Sequence, residues 1–155
     1  MKLIPILKEF SDLFGRDGID IGNIEFKNIK ISNTPLEIFY EVLLFDNTLT
    51  VVGDFLIHIT PLNMLNEKQK GWYLCKDKNN RWYEDNENWN KEWIVFGDRN
   101  GDAIYYNKLG NSVWGSVNKK KNYKIASSLD VFFEILTACM HLEMEKYNFC
   151  TKNED

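Results

Sequence analysis

Three cysteines and three prolines in 155 residues are too few for a disulfide scaffold or a proline-rich extended chain. No apolar run approaches the roughly 18 residues that a membrane-spanning helix requires, and mean hydropathy is −0.40. The opening stretch Met1-Lys2-Leu3-Ile4-Pro5-Ile6-Leu7-Lys8-Glu9 is interrupted by charge and lacks a small-residue cleavage site after it, so it reads as a helix of the fold. Positive charge is not in excess. The 19 Lys and Arg face 23 Asp and Glu, for a net charge of −4, so no wide positive field gathers nucleic-acid phosphates. Cys75, Cys139 and Cys150 are odd in number and scattered, which suits reduced thiols, and cytoplasm is the expected compartment. Glycine-rich phosphate loops and the G-x-S-x-G and Q-A-C-x-G nucleophile signatures are missing, so nucleotide binding and catalysis lack support.

What is present is apolar content, 44% of the chain, with 14% aromatic. A chain of this length buries roughly 68–70% of its unfolded surface and needs neither staple nor metal to fold. Leu3, Leu7, Phe10 and Phe14 recur at helical spacing over 2–14, before Gly15 and the turn Arg16-Asp17-Gly18. Ile24, Phe26, Ile29 and Ile31 alternate as a short strand would. Thr34-Pro35-Leu36-Glu37 is a helix start with a capping box, and the helix is expected to reach about Asp46-Asn47. Leu49, Val51, Phe55, Ile57 and Ile59 alternate around Gly53-Asp54. In the irregular stretch 64–93, strand pieces 71–75 and 81–83 flank Asp77-Lys78-Asn79-Asn80. Three strand-type runs, 93–96, 102–106 and 112–116, are joined by loops containing Asn100-Gly101 and Leu109-Gly110-Asn111, an antiparallel meander extended by Tyr123-Lys124-Ile125. Leu129, Phe132, Phe133, Leu136, Met140, Met144 and Tyr147 form the stripe of a final helix opened by Ser127, ahead of a polar tail at 151–155.

Several constellations invite a chemical reading. Asp98, Asn100 and Asp102 alternate as in a calcium loop, but Ala103 and Leu109 stand where glycine and a bidentate glutamate are needed, so a hairpin turn is the better reading. His58 and His141 are the only imidazoles, and Cys139 would leave its helix on a different side from His141, so no metal site is expected. An enzyme would need a cleft where a cysteine or carboxylate meets one of these histidines. Lys119-Lys120-Lys121 reads as the solvated tip of a hairpin. The least ordinary stretch is aromatic and acidic. Trp72, Tyr73, Trp82, Tyr83 and Trp89, interspersed with Glu84, Asp85, Glu87 and Glu92, combine rings of the kind that dominate binding hot spots with charge that would steer a basic partner. About half of these rings are expected to pack inward.

The C-terminal half resembles the SUKH superfamily (Smi/Knr-like domains), which includes fungal cell-wall assembly regulators and bacterial immunity proteins of polymorphic toxin systems. The resemblance rests on Trp93-Ile94-Val95-Phe96-Gly97-Asp98, Gly101-Asp102-Ala103-Ile104-Tyr105-Tyr106-Asn107, Ser112-Val113-Trp114 and the run from Lys124 to Leu136. Thr34 to Leu43 resembles the family's Pro-initiated helix, although Asn47-Thr48 stands where the family has Asn-Gly, and the stretch 63–90 lies outside the match. The resemblance implies an α+β fold: a single domain over 1–150 with a twisted antiparallel sheet, helices packed on it and a long C-terminal helix. It makes Gly97, Gly101 and Asp102, with Asn100, turn positions. It supplies no catalytic, cofactor or metal residues. The implied activity is neutralisation of a cognate toxin, such as a nuclease or deaminase, by direct protein–protein binding, without membrane or nucleic-acid contact. The alternative is a non-catalytic regulatory or scaffold module. Trp72, Tyr73, Trp82, Tyr83, Glu84, Asp85, Glu87 and Trp89 are the expected contact residues.

Overall fold

The computed structural model describes residues 2–14, 24–29, 31–51 and 56–152. Helix α1 (Leu3–Leu13) is followed by strand β1 (Glu25–Phe26), helix α2 (Pro35–Val42) and strands β2 (Leu43–Leu44), β3 (Leu49–Val51) and β4 (Ile57–Ile59). A 3-10 turn (Leu62–Met64) and helix α3 (Leu65–Lys68) lead to strands β5 (Leu74–Lys76) and β6 (Trp82–Glu84). Strands β7 (Trp93–Arg99), β8 (Asp102–Asn107), β9 (Ser112–Val117) and β10 (Lys121–Ala126) precede helix α4 (Leu129–Lys152). Six strands pair antiparallel in the order β10-β9-β8-β7-β4-β3, and helices pack on the sheet, giving the α+β architecture expected.

The helices form because their apolar residues recur every three or four positions and can be buried together. Leu3, Leu7, Phe10 and Leu13 of α1 are buried, as are Leu129, Phe132, Phe133, Leu136 and Met140 of α4. Phe10 meets Phe133 edge-on at 5.0 Å between ring centroids, and Phe133 stacks on Phe39 of α2 at 4.9 Å. Helix α4 starts at Leu129 as expected, but the Ser128 hydroxyl, not that of Ser127, accepts the Val131 N–H at 3.2 Å. The helix runs through Lys152, so the tail expected from Thr151 begins later, and 153–155 lie outside the described residues.

Helix α2 carries Pro35 in its first turn, but Thr34 makes no side-chain cap bond. It ends at Val42, short of Asp46, because Leu43 and Leu44 pair instead with Phe26 and Glu25. Ile29 and Ile31 are 47% and 80% exposed and join no strand among the described residues; the Ile31 N–H instead donates to the Glu41 carboxylate at 3.1 Å. Gly15 with the turn at 16–18, and Gly53-Asp54 with Phe55, lie outside the described residues.

Asn100 and Gly101 have φ of 51° and 87°, the pair of left-handed conformations that a two-residue hairpin requires, and they close β7 onto β8 with Arg99 opposite Asp102. Gly97 and Asp102 depart from the expected turn role. Gly97 lies inside β7, where the register shifts between Val95 and Gly97, and pairs with Ile59 of β4; Asp102 opens β8. A side chain at 97 would strike the neighbouring strand, since an added Cβ would sit 2.5 Å from the His58 carbonyl oxygen. Close strand approach explains this glycine.

Strands β4 and β7 are neighbours in the sheet although β5 and β6 separate them in sequence, and everything from Thr60 to Glu92 is an excursion between them. One face of the sheet is covered by the helices. The excursion covers the other, where Trp89, Val95, Ala103 and Tyr105 form a second buried cluster with Trp72, Tyr73, Trp93 and Trp114 packed around it.

Candidate functional site

The excursion presents β5 and β6 as a separate two-stranded hairpin, with Leu74, Cys75 and Lys76 opposite Glu84, Tyr83 and Trp82. Its turn is built locally. The Asp77 carboxylate accepts the backbone N–H groups of Asn79 and Arg81 at 2.8 and 3.0 Å, and Asn80 takes φ of 60°. Hairpins of this size are marginal alone and need a platform. The platform is the second aromatic cluster. Trp89 sits at its centre, 2% exposed, edge-on to Trp93 and Tyr105 at 5.2 and 4.9 Å, with its indole N–H donating to the Trp93 carbonyl at 3.1 Å. Burial pushes the Tyr105 phenol up to about 12.

Two long-range side chains fasten the excursion to the sheet. The Gln69 amide donates to the Val95 carbonyl at 2.7 Å and accepts the Val95 N–H at 3.0 Å. Strand β4 is too short to reach that part of β7, and the glutamine takes the place of the missing strand. Lys119, with Asn118, occupies a left-handed turn between β9 and β10, with φ of 64° and 54°. Its ammonium donates to the Asp85 carboxylate at 2.8 Å and to the Cys75 thiol at 3.0 Å. The pair is largely enclosed, with side-chain exposures of 15% and 8%. The bond from Lys119, aided by the Asn88 donors, holds the Asp85 carboxyl below its usual range. Burial pulls Lys119 down, but its bonds to Asp85 and Cys75 outweigh this, and the net shift is upward.

The signs of these shifts fix a pH window. The Asp85 contribution is complete above the unfolded carboxyl value of about 3.9 and is lost as pH falls through the lower folded value. The Lys119 contribution is complete below the unfolded value of about 10.4 and is lost as pH rises through the higher folded one. Asp85→Asn is therefore expected to lower the thermal midpoint by several degrees at neutral pH, with the gap from wild type closing below about pH 4. Thermal melts followed by tryptophan fluorescence across pH check this, and a gap that persists in acid would mean the carboxylate charge is not what holds the hairpin.

The eight expected contact residues divide. Trp82 and Tyr83 are 49% and 47% exposed, and Glu84 and Glu87 are exposed. Trp72 and Tyr73 are half-buried against the second cluster. Asp85 and Trp89 are buried and are corrected from contact residues to structural ones, because Asp85 pairs with Lys119 and Trp89 is the platform's centre. Four of the six rings between 72 and 93 thus pack inward. Glu84 is also engaged, accepting the Tyr73 hydroxyl at 2.9 Å, which raises the Tyr73 phenol.

Comparisons with protein-family models, curated proteins and solved structures each return nothing similar to the chain. The site is defined by its own geometry, and four of its residues carried no sequence signal as partners: Gln69, Lys119, Lys70 and Lys76. The ammonium groups of Lys70 and Lys76 each lie over the Trp82 indole, 5.0 Å from its centre.

Histidines do meet carboxylates elsewhere. His58 and Asp98 are register partners beside a cleft of about 270 Å³ that also includes Thr48, Thr60, Glu67 and Lys68. Asp98, however, pairs with Lys68 at 2.5 Å, while the His58 Nδ1 meets the Thr50 hydroxyl at 3.0 Å. His141 contacts Glu9 at 3.1 Å on the surface between α1 and α4, both half-exposed. The lining of the cleft supplies no cysteine or serine. Among the described residues no group of three or more His, Cys, Asp or Glu could hold a metal ion, and no helix is long and apolar enough to cross a membrane.

Proposed function

We propose that the protein is a non-catalytic binding domain that docks a partner protein on the β5–β6 hairpin. The observation that carries this reading is the exposure of Trp82 and Tyr83, successive residues on the two faces of a hairpin fastened to the sheet through the buried Lys119–Asp85 pair. Large rings presented on a preorganised element lose little entropy on binding and desolvate a large area, which is how hot spots gain their energy. The resemblance of residues 93–136 to the SUKH superfamily supports the narrower form. In that form the chain is a cytoplasmic immunity-type protein that neutralises a cognate polymorphic toxin by covering it.

The test is co-purification of the tagged protein with the polypeptide encoded immediately beside it, followed by titration calorimetry and a toxicity assay. A one-to-one complex that silences the partner is the expected result. Trp82→Ala is expected to weaken that complex by about 30-fold or more, the loss of a hot-spot ring of roughly 2 kcal/mol. It should leave the thermal midpoint within about 2 °C of wild type, because the ring packs against no buried cluster. A complex without loss of toxicity would favour the scaffold reading, and a complex indifferent to Trp82 and Tyr83 would remove the hairpin as its site.

A further inference from the structure

The charges around the exposed rings do not have the sign that the sequence of the stretch suggests. Trp82 is approached by Lys70 and Lys76, and the adjoining turn adds exposed Lys78 and Arg81. Two acids stand near these four cations, too few to balance them. Glu67 pairs with Lys70 at 2.7 Å, and Asp77 is turned onto the backbone of its own loop. The remaining acids of the stretch lie away from the tip. Glu84 stands at the base of the hairpin opposite Leu74, where it accepts the Tyr73 hydroxyl, Asp85 is buried on Lys119, and Glu87 belongs to the following loop. In a chain of net charge −4, the part that presents the largest exposed ring is locally cationic.

We infer that this tip recognises an acidic segment of the partner, with Lys76 and Arg81 receiving its carboxylates while Trp82 covers the apolar part between them. The inference rests on the reading that a partner docks at this hairpin, and it specifies that partner's chemistry. Charge complementarity argues for it, since carboxylates meeting the Lys76 and Arg81 charges beside a ring form pairs that are desolvated on contact and strengthened by it. The position of the lysines argues against nucleic acid. Bases stack on a bare aromatic face, whereas the Trp82 ring already has two ammonium groups over it.

The experiment is a nuclear magnetic resonance titration of the full labelled chain with poly-L-glutamate, with poly-L-lysine and with a single-stranded oligothymidylate of matched charge. Poly-L-glutamate is expected to shift the Trp82 indole N–H and the backbone amides of 74–84, with an affinity that falls as salt is raised. The double variant Lys76→Glu, Arg81→Glu should lose at least about tenfold in that affinity while keeping the wild-type spectrum elsewhere. No shift at the hairpin, shifts produced there by poly-L-lysine, or tighter binding of the oligothymidylate through the same resonances would each overturn the inference. The underlying reading fails separately. If Trp82→Ala abolishes capture of the natural partner while the double charge reversal leaves capture unchanged, the hairpin is the site and the acidic partner is wrong. If the partner is captured equally by both variants, the hairpin is not its site.

Discussion

Gly97→Ala is expected to destabilise the protein by about 3 kcal/mol, the upper end of what overpacking costs, and so to lower the thermal midpoint by roughly 6–12 °C for a chain of this size. The new methyl would lie 2.5 Å from the backbone carbonyl oxygen of His58, a contact that only backbone movement can relieve. Strand β4 has three residues, so shifting it off β7 puts all of its pairing at risk, together with β3 beyond it. Gly115→Ala is the control. Its methyl would come within 2.3 Å of a neighbour too, but that neighbour is the ring of Tyr123, which is 36% exposed and can swing towards solvent. Thermal melts of the two variants should therefore separate widely although the initial overlaps are alike. Equal and small losses would show that β4 yields as easily as a side chain does.

This contrast shows where local sequence stops informing. The Asn100-Gly101 hairpin was legible because two positive φ angles leave few residue choices, and the C-terminal helix was legible because its stripe spans several turns. A glycine required by a neighbouring strand's carbonyl has no such local signature. Gly97 ends an apolar run in the sequence, so a turn was the natural reading, while its real reason lies on a strand about forty residues earlier. Helix α2 was over-extended for a related reason. Leu43 and Leu44 continue its apolar pattern but find a better partner in β1, a tertiary choice that overrides propensity.

The candidate site was legible in composition and illegible in polarity. Aromatic density between 72 and 93 singles out the stretch that holds the exposed Trp82 and Tyr83, and the strand pieces flanking Asp77 to Asn80 do form a hairpin. Counting acids in that stretch points to a basic partner, because the bonds that engage Glu84 and bury Asp85 join them to residues 11 and 34 positions away. The lysines over Trp82 come from outside and inside the same hairpin, Lys70 before β5 and Lys76 at its end. Pairings of that separation are set by the fold, so surface charge cannot be summed along a segment before its internal partners are known.

Trp89→Ala is expected to have the largest effect of any single substitution in the second cluster, about 3–5 kcal/mol for a buried ring, or roughly 6–20 °C in thermal midpoint. The ring contacts Trp72, Trp93 and Tyr105 and donates to the Trp93 carbonyl, so its removal leaves both a cavity and an acceptor without its partner. The loss should be local in structure. The helical core on the opposite face keeps Phe10, Phe39 and Phe133, and far-ultraviolet dichroism at low temperature should retain its helical signal while near-ultraviolet signals from the tryptophans weaken. Tyr105 reports the opening directly. Water reaching its phenol would bring it down from about 12 towards the ordinary value of about 10, visible as an earlier phenolate transition that Tyr105→Phe removes. Trp89→Phe, which keeps most of the ring but not the donor, should cost much less. Partner affinity completes the distinction from Trp82. Trp82→Ala should weaken binding with the fold intact, whereas Trp89→Ala should weaken it only as far as the hairpin loses its platform, and a Trp89 variant that binds poorly with an unaltered melt would return this residue to the contact surface.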